Sequence, residues 1–89
     1  MRNQEVLKKY LFSRYFRVAS SYSKNLIATI EGNGNKTLKN YNAIISKKEN
    51  GTFFINSNYL HYTKITTIII NQLIKLLNEN NIKYKLLAF

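Results

Sequence analysis

Leu26-Ile27-Ala28-Thr29-Ile30-Glu31-Gly32-Asn33-Gly34-Asn35 opens the stretch that decides the fold, and Asn50-Gly51-Thr52-Phe53-Phe54-Ile55-Asn56 closes it. Leu26, Ala28 and Ile30 alternate as a short half-buried strand does. Asn33-Gly34 then reads as a type I′ hairpin turn, in which both central residues take positive φ. A returning strand is expected over about 37–46, with Tyr41, Ala43 and Ile45 on one face and Asn40, Asn42 and Ile44 on the other. Asn50-Gly51 marks a second turn of the same kind. Thr52 to Asn56 follows as a third strand, with Phe53 and Ile55 facing one way and Phe54 the other. The expectation is an antiparallel meander.

Outward from the meander, residues 64–79 have helical spacing, with Ile65, Ile68, Ile69, Leu73, Leu76 and Leu77 as the apolar stripe. Thr63 suits the N-cap, and Asn80-Asn81 suits a left-handed stop. Ile82 to Phe89 alternates as a last strand at the edge of the sheet. Toward the start, residues 4–12 place Val6, Leu7, Tyr10 and Leu11 at helical spacing, with Asn3 as N-cap and Glu5 in the first turn. Arg14 to Tyr22 reads as a strand with Phe16, Val18 and Tyr22 on one side; helix and strand compete at 12–16. The predicted class is α+β: an antiparallel meander of three to five strands packed by a C-terminal amphipathic helix, with a short N-terminal helix. The 89 residues make one small domain, without linker, repeat or low-complexity tract.

Composition narrows function by exclusion. The chain has 14 Lys+Arg against four Glu, no Asp, no Cys and a single His, for a net charge of +10. Lacking Cys, it has no disulfide framework or thiolate metal site. His61 has no Asp or Cys partner anywhere and fits a strand-to-helix junction, capping or stacking on Tyr59 or Tyr62. One His with scattered Glu falls short of the ligand set zinc needs. Glu31 and Glu49 flank the two turns, where a solvated role outweighs paired-carboxylate chemistry. Gly32 and Gly34 imitate a nucleotide-binding fragment, but no helix follows them. No catalytic residue, metal site or cofactor is therefore expected, and the protein reads as a non-enzyme.

No apolar run approaches the 18 or so residues of a membrane span. Met1 to Ser23 is basic and Ser-containing like a transit peptide, yet it holds Glu5 and apolar residues that a small core requires. A cytoplasmic address is expected. Lys outnumbers Arg by 11 to 3, part of which reflects AT-rich codons, but the charge imbalance survives that bias. Such a surface points to an anionic partner, a nucleic acid or a ribonucleoprotein. Arg14, Arg17, Lys36, Lys39, Lys47 and Lys48 are the candidate contacts. Lys36, Lys39, Lys47 and Lys48 flank the turns, and Arg14 and Arg17 bracket Tyr15-Phe16. Interleaved rings and cations suit single strands, whose bases stack while their phosphates are neutralised. Neither a double-stranded-RNA-binding domain nor an RNA-recognition motif fits: the first lacks its Lys-rich last helix, the second its two-helix order.

Tyr62-Thr63-Lys64-Ile65-Thr66-Thr67-Ile68-Ile69-Ile70-Asn71-Gln72-Leu73-Ile74 resembles a pattern in small phage- and plasmid-encoded proteins of unknown function. There, roughly Y-S-x-T-T-x-x-H-I-x-x-F-L opens the last helix after a sheet carrying a Y-N element, matched here by Tyr41-Asn42. Ile65 stands for the first Thr and Ile69 for the His, and the likeness spans about residues 36–78. The resemblance implies a mobile-element origin, where compact non-enzymatic proteins interfere with host machinery, including CRISPR effectors. It supplies no active site. The leading expectation is thus an anti-CRISPR-like protein that occludes guide RNA or a nucleic-acid channel of a host complex. A stand-alone single-stranded DNA- or RNA-binding module is the first alternative, and a subunit self-assembling through an exposed sheet edge is the second.

Overall fold

The computed structural model describes residues 2–13, 19–20 and 25–89. In chain order it contains α1 (Asn3–Phe12), β1 (Ala19–Ser20), β2 (Leu26–Ile30), β3 (Lys36–Asn40), β4 (Ala43–Glu49), β5 (Thr52–Asn56), α2 (Lys64–Glu79) and β6 (Tyr84–Leu87). The fold is α+β. The six strands among the described residues lie in sequence order, every neighbouring pair antiparallel except the last. β6 joins the edge beside β5 and runs parallel to it, because α2 carries the chain back across before β6 begins. The strand expected over Arg14 to Tyr22 falls mostly outside the described residues, apart from the two of β1.

The meander has one more turn than the sequence predicts. The stretch 37–46 is two strands, with Tyr41-Asn42 as a two-residue link and Asn40 opposite Ala43. Tyr41 takes φ +57°, a left-handed conformation in which a bulky residue is an outlier. This overturns the predicted faces: Asn40 is buried and sits across from Ala43, while Tyr41 projects from the turn. The register slips by one residue between Leu38–Ser46 and Lys39–Ile44, leaving Ile45 as a bulge on β4, so Ile45 and Ser46 are both buried.

The Asn-Gly turns divide. Asn50 and Gly51 both have positive φ, as a type I′ turn requires. At the first hairpin only Gly34 does. Its N–H donates to Glu31 O (3.0 Å), and Glu31 N–H donates to Asn35 O (2.8 Å). That is a three-residue loop in which Gly34 closes a bulge, the other common hairpin solution.

Helix ends follow local chemistry. Thr63 caps α2, its Oγ1 accepting Thr66 N–H at 3.1 Å. At the other end Asn81 is left-handed, with Asn81 N–H on Asn78 O and Ile82 N–H on Leu77 O. This paired pattern satisfies carbonyls that would otherwise be orphaned. α1 starts differently from the expectation: Arg2 is the N-cap without a side-chain bond, and Asn3 lies inside the helix with a buried Oδ1 that has no partner among the described residues. The buried side of α2 is also rotated. Ile65 and Ile68 are exposed, while Thr66 and Ile70 turn inward with Ile69, Leu73, Leu76 and Leu77.

One hydrophobic cluster joins Val6, Leu7, Tyr10 and Leu11 of α1, the inward strand residues Leu26, Ala28, Leu38, Ile45, Phe53 and Ile55, and the buried residues of α2. Tyr10 and Phe53 meet edge to face at 5.6 Å. Ser46 Oγ donates to Phe54 O, so the 2.8 Å bond between Tyr10 and Ser46 has the tyrosine as donor. Burial pushes the Tyr10 phenol well above its ordinary pKa. Among the described residues no helix is long and apolar enough to cross a membrane.

Candidate anion-binding end of the sheet

The β2–β3 and β4–β5 turns lie at the same end of the sheet, linked by Asn50 N–H on Asn35 Oδ1 at 3.4 Å. Lys36 on β3 stands directly opposite Lys48 on β4, and Lys48 opposite Phe53 on β5. Cross-strand partners share a face, so two cations and a ring are set side by side. Both ammonium groups lie over the Phe53 ring, Lys36 at 5.9 Å and Lys48 at 5.1 Å from its centroid.

Lys36 is only 6% exposed, because its strand position places it on the core side beside Ile30. Its Nζ donates to Leu11 O at 3.0 Å, the negative end of α1. Burial first, and the Lys48 charge second, pull the Lys36 pKa below the usual lysine value. Among the described residues neither lysine has a carboxylate within 4.0 Å. An open cleft of about 400 Å³ adjoins them, walled by Phe12, Ile30 and the Gly32-Asn33-Gly34 turn. Lys36 is partly compensated by the α1 carbonyl, whereas Lys48, facing it with no described carboxylate within 4.0 Å, favours an anion in the cleft.

The other predicted contacts scatter. Lys47 occupies the opposite face, where its Nζ lies 3.1 Å from Glu49, 4.5 Å from the Phe89 ring centroid and 5.9 Å from that of Phe54. Lys39 is exposed toward the other end of β3, opposite Ile44. Arg14 and Arg17 lie outside the described residues. Thus Lys36 and Lys48 share this cleft, which Lys47 and Lys39 do not line; Lys47 meets the two lysines only in a second cleft that also holds Glu31 and Glu49.

Two aromatic partners escaped sequence reasoning. Phe12 is 55% exposed at the lip of the cleft, one step past the buried Val6-Leu7 and Tyr10-Leu11 pairs of α1. Projecting α1 as a helix signals it. Phe89 is held by Asn56, whose Nδ2 donates to Phe89 O (2.9 Å), and no local pattern announces that contact.

His61 is exposed between the Ser57–Tyr59 turn and α2; Thr63 supplies the cap, and Tyr59 pairs edge to face with Tyr62 at 5.1 Å. Glu31 and Glu49 are exposed, and Glu49 is engaged by Lys47. Among the described residues no three His, Cys, Asp or Glu gather as metal ligands would. No known protein family, curated protein or solved structure matches the chain.

Proposed function

We propose that this protein is a non-enzymatic binder of nucleic-acid-handling assemblies that takes a strand phosphate at the Lys36–Lys48 end of its sheet. The carrying observation is the pair of facing lysines with no carboxylate within ion-pair distance, beside an open cleft. Facing like charges cost stability, and a bound phosphate removes that cost. Phe12 at the lip offers a ring on which a neighbouring base can stack. The excess of cations over the whole chain supplies the long-range attraction. A guide or target strand held in a host ribonucleoprotein presents the same phosphates. Occlusion of such a strand is the anti-CRISPR-like form of this reading, favoured by the resemblance to mobile-element proteins.

Fluorescence anisotropy with a labelled single strand, bare or within a ribonucleoprotein, tests it. Affinity should fall steeply between about 50 and 200 mM salt, and Lys48→Met should lower the logarithmic salt slope by about 0.7, one phosphate's share on a single strand. Salt-independent binding, or a slope untouched by Lys48→Met, overturns the proposal.

A further inference from the structure

Two segments that the lysine reading leaves unused meet at the other end of the molecule. The Tyr41-Asn42 turn and the Tyr62-Thr63 start of α2, some twenty residues apart in sequence, line one cleft of about 410 Å³. Tyr59 completes its aromatic wall, and Asn40 and Thr66 lie at its base. That volume is within the range of small-ligand sites.

The base is polar and unfinished. Asn40 is 3% exposed, and its Nδ2 donates to Thr66 Oγ1 at 3.1 Å. Thr66 Oγ1 also accepts from the Thr63 hydroxyl at 3.0 Å, which ties the amide to the cap of α2. Asn40 Oδ1 has no partner among the described residues. A buried amide oxygen without a donor costs stability, so a group that brings an N–H to it gains affinity. The walls are rings: Tyr41 and Tyr62 are exposed large aromatics, and Tyr59 packs edge to face against Tyr62. Rings lining the same cleft as an orphan acceptor suit a planar ligand with an amino group on its edge.

We infer that this cleft holds one nucleobase bearing an exocyclic amine, stacked on Tyr41, with the amine donating to Asn40 Oδ1. The inference rests on the strand-binding reading and deepens it, adding base contact to phosphate contact. Adenine, cytosine and guanine carry the amine; uracil and thymine do not. The oxygen is out of reach of water, so the rim must open as the base enters.

Free nucleosides separate this inference from the lysine reading, because they carry no phosphate. Titrated by NMR, adenosine and cytidine should shift the Asn40 side-chain amide and the Thr66 N–H, and bind about 5-fold tighter than uridine, the value of one neutral hydrogen bond. Equal binding of all three, or no shift at Asn40, overturns the inference. So does N-acetyltryptophanamide binding tighter than adenosine, since the cleft then prefers an aromatic side chain of a protein. Tyr41→Gly is the control for folding. It removes a ring wall and relieves the left-handed backbone at φ +57°, so Tm should hold or rise while adenosine affinity falls several-fold. Unchanged adenosine affinity in that variant also overturns the inference. Adenosine bound in the cleft without any strand binding would sink the lysine reading and leave this one standing. The reverse result would do the opposite.

Discussion

Lys36 concentrates the tension between stability and binding in a single side chain. Its side chain lies on the core side with 6% of the residue exposed, and its ammonium bonds a neutral carbonyl and faces a second lysine at the edge of the cleft. Lys36→Met keeps an unbranched side chain only one atom shorter and removes the charge, an exchange that leaves stability equal or higher where a buried ion had poor partners. Thermal melts at neutral pH should therefore show Tm unchanged or raised by a few degrees, while strand affinity drops. The pH dependence follows from sign. A lysine whose folded pKa lies below its unfolded value disfavours folding wherever it is charged, and that penalty fades as pH rises from the lowered value toward 10.5. Tyr10 acts in the opposite sense: its raised pKa means that stability is lost above pH 10, where the unfolded phenol ionises first. Wild-type Tm should climb as pH approaches 10 and fall beyond it, and Lys36→Met should lose the climb and keep the fall. A climb retained in that variant would show that another group causes it. The burial of Lys36 was not legible in Lys36-Thr37-Leu38-Lys39-Asn40, because Leu38 is the only large apolar residue of β3 and cannot by itself fix which face the flanking polar residues take.

At the scale of elements, what could be read was whatever local chemistry dictates. Thr63 before an apolar-periodic run, Asn-Gly at 50–51 and Asn80-Asn81 at a helix end each did what their side chains favour. Thr63→Ala should cost about 1 kcal/mol in chemical denaturation, the usual value of an N-cap. Asn81→Gly should add about 0.5 kcal/mol, since glycine takes φ +56° without a Cβ clash. If Asn81→Gly destabilises, the terminal pattern at Leu77–Ile82 is held by something other than backbone conformation. Apart from two local misses, the Gly34 bulge at the first hairpin and the start of α1 at Arg2, the features that stayed hidden depend on partners distant in sequence. Tyrosine is no turn former, and the Tyr41-Asn42 link exists because β3 and β4 both bury residues against the helices; Tyr41 N–H also reaches across to Asn25 O at 2.7 Å. The stripe of α2 was ambiguous because Ile68-Ile69-Ile70 offers an apolar residue in three successive directions. Asn40 bonded to Thr66 helps set which of them faces inward, and neither residue looks like core in the sequence.

For the whole molecule the decisive quantity is a charge of +10 on 89 residues folded to a radius of gyration of 11.7 Å. Cations at that density repel one another across distances comparable to the Debye length, about 10 Å at 0.1 M salt. The same repulsion attracts a polyanion, so salt must act with opposite sign on the free and the bound protein. Raising salt screens self-repulsion and should increase the Tm of the free chain. It also removes the gain from counterion release and should weaken the complex with a strand. The two trends have different weights on particular residues. Lys39 is exposed and away from the cleft, so Lys39→Gln should relieve repulsion slightly and leave the local phosphate contact intact. Lys48→Met removes repulsion and contact together. Differential scanning fluorimetry and anisotropy across one salt series, on wild type and both variants, separate the effects. A Tm that falls with added salt would mean that the excess charge is compensated within the fold. The cationic surface would then no longer argue for an anionic partner.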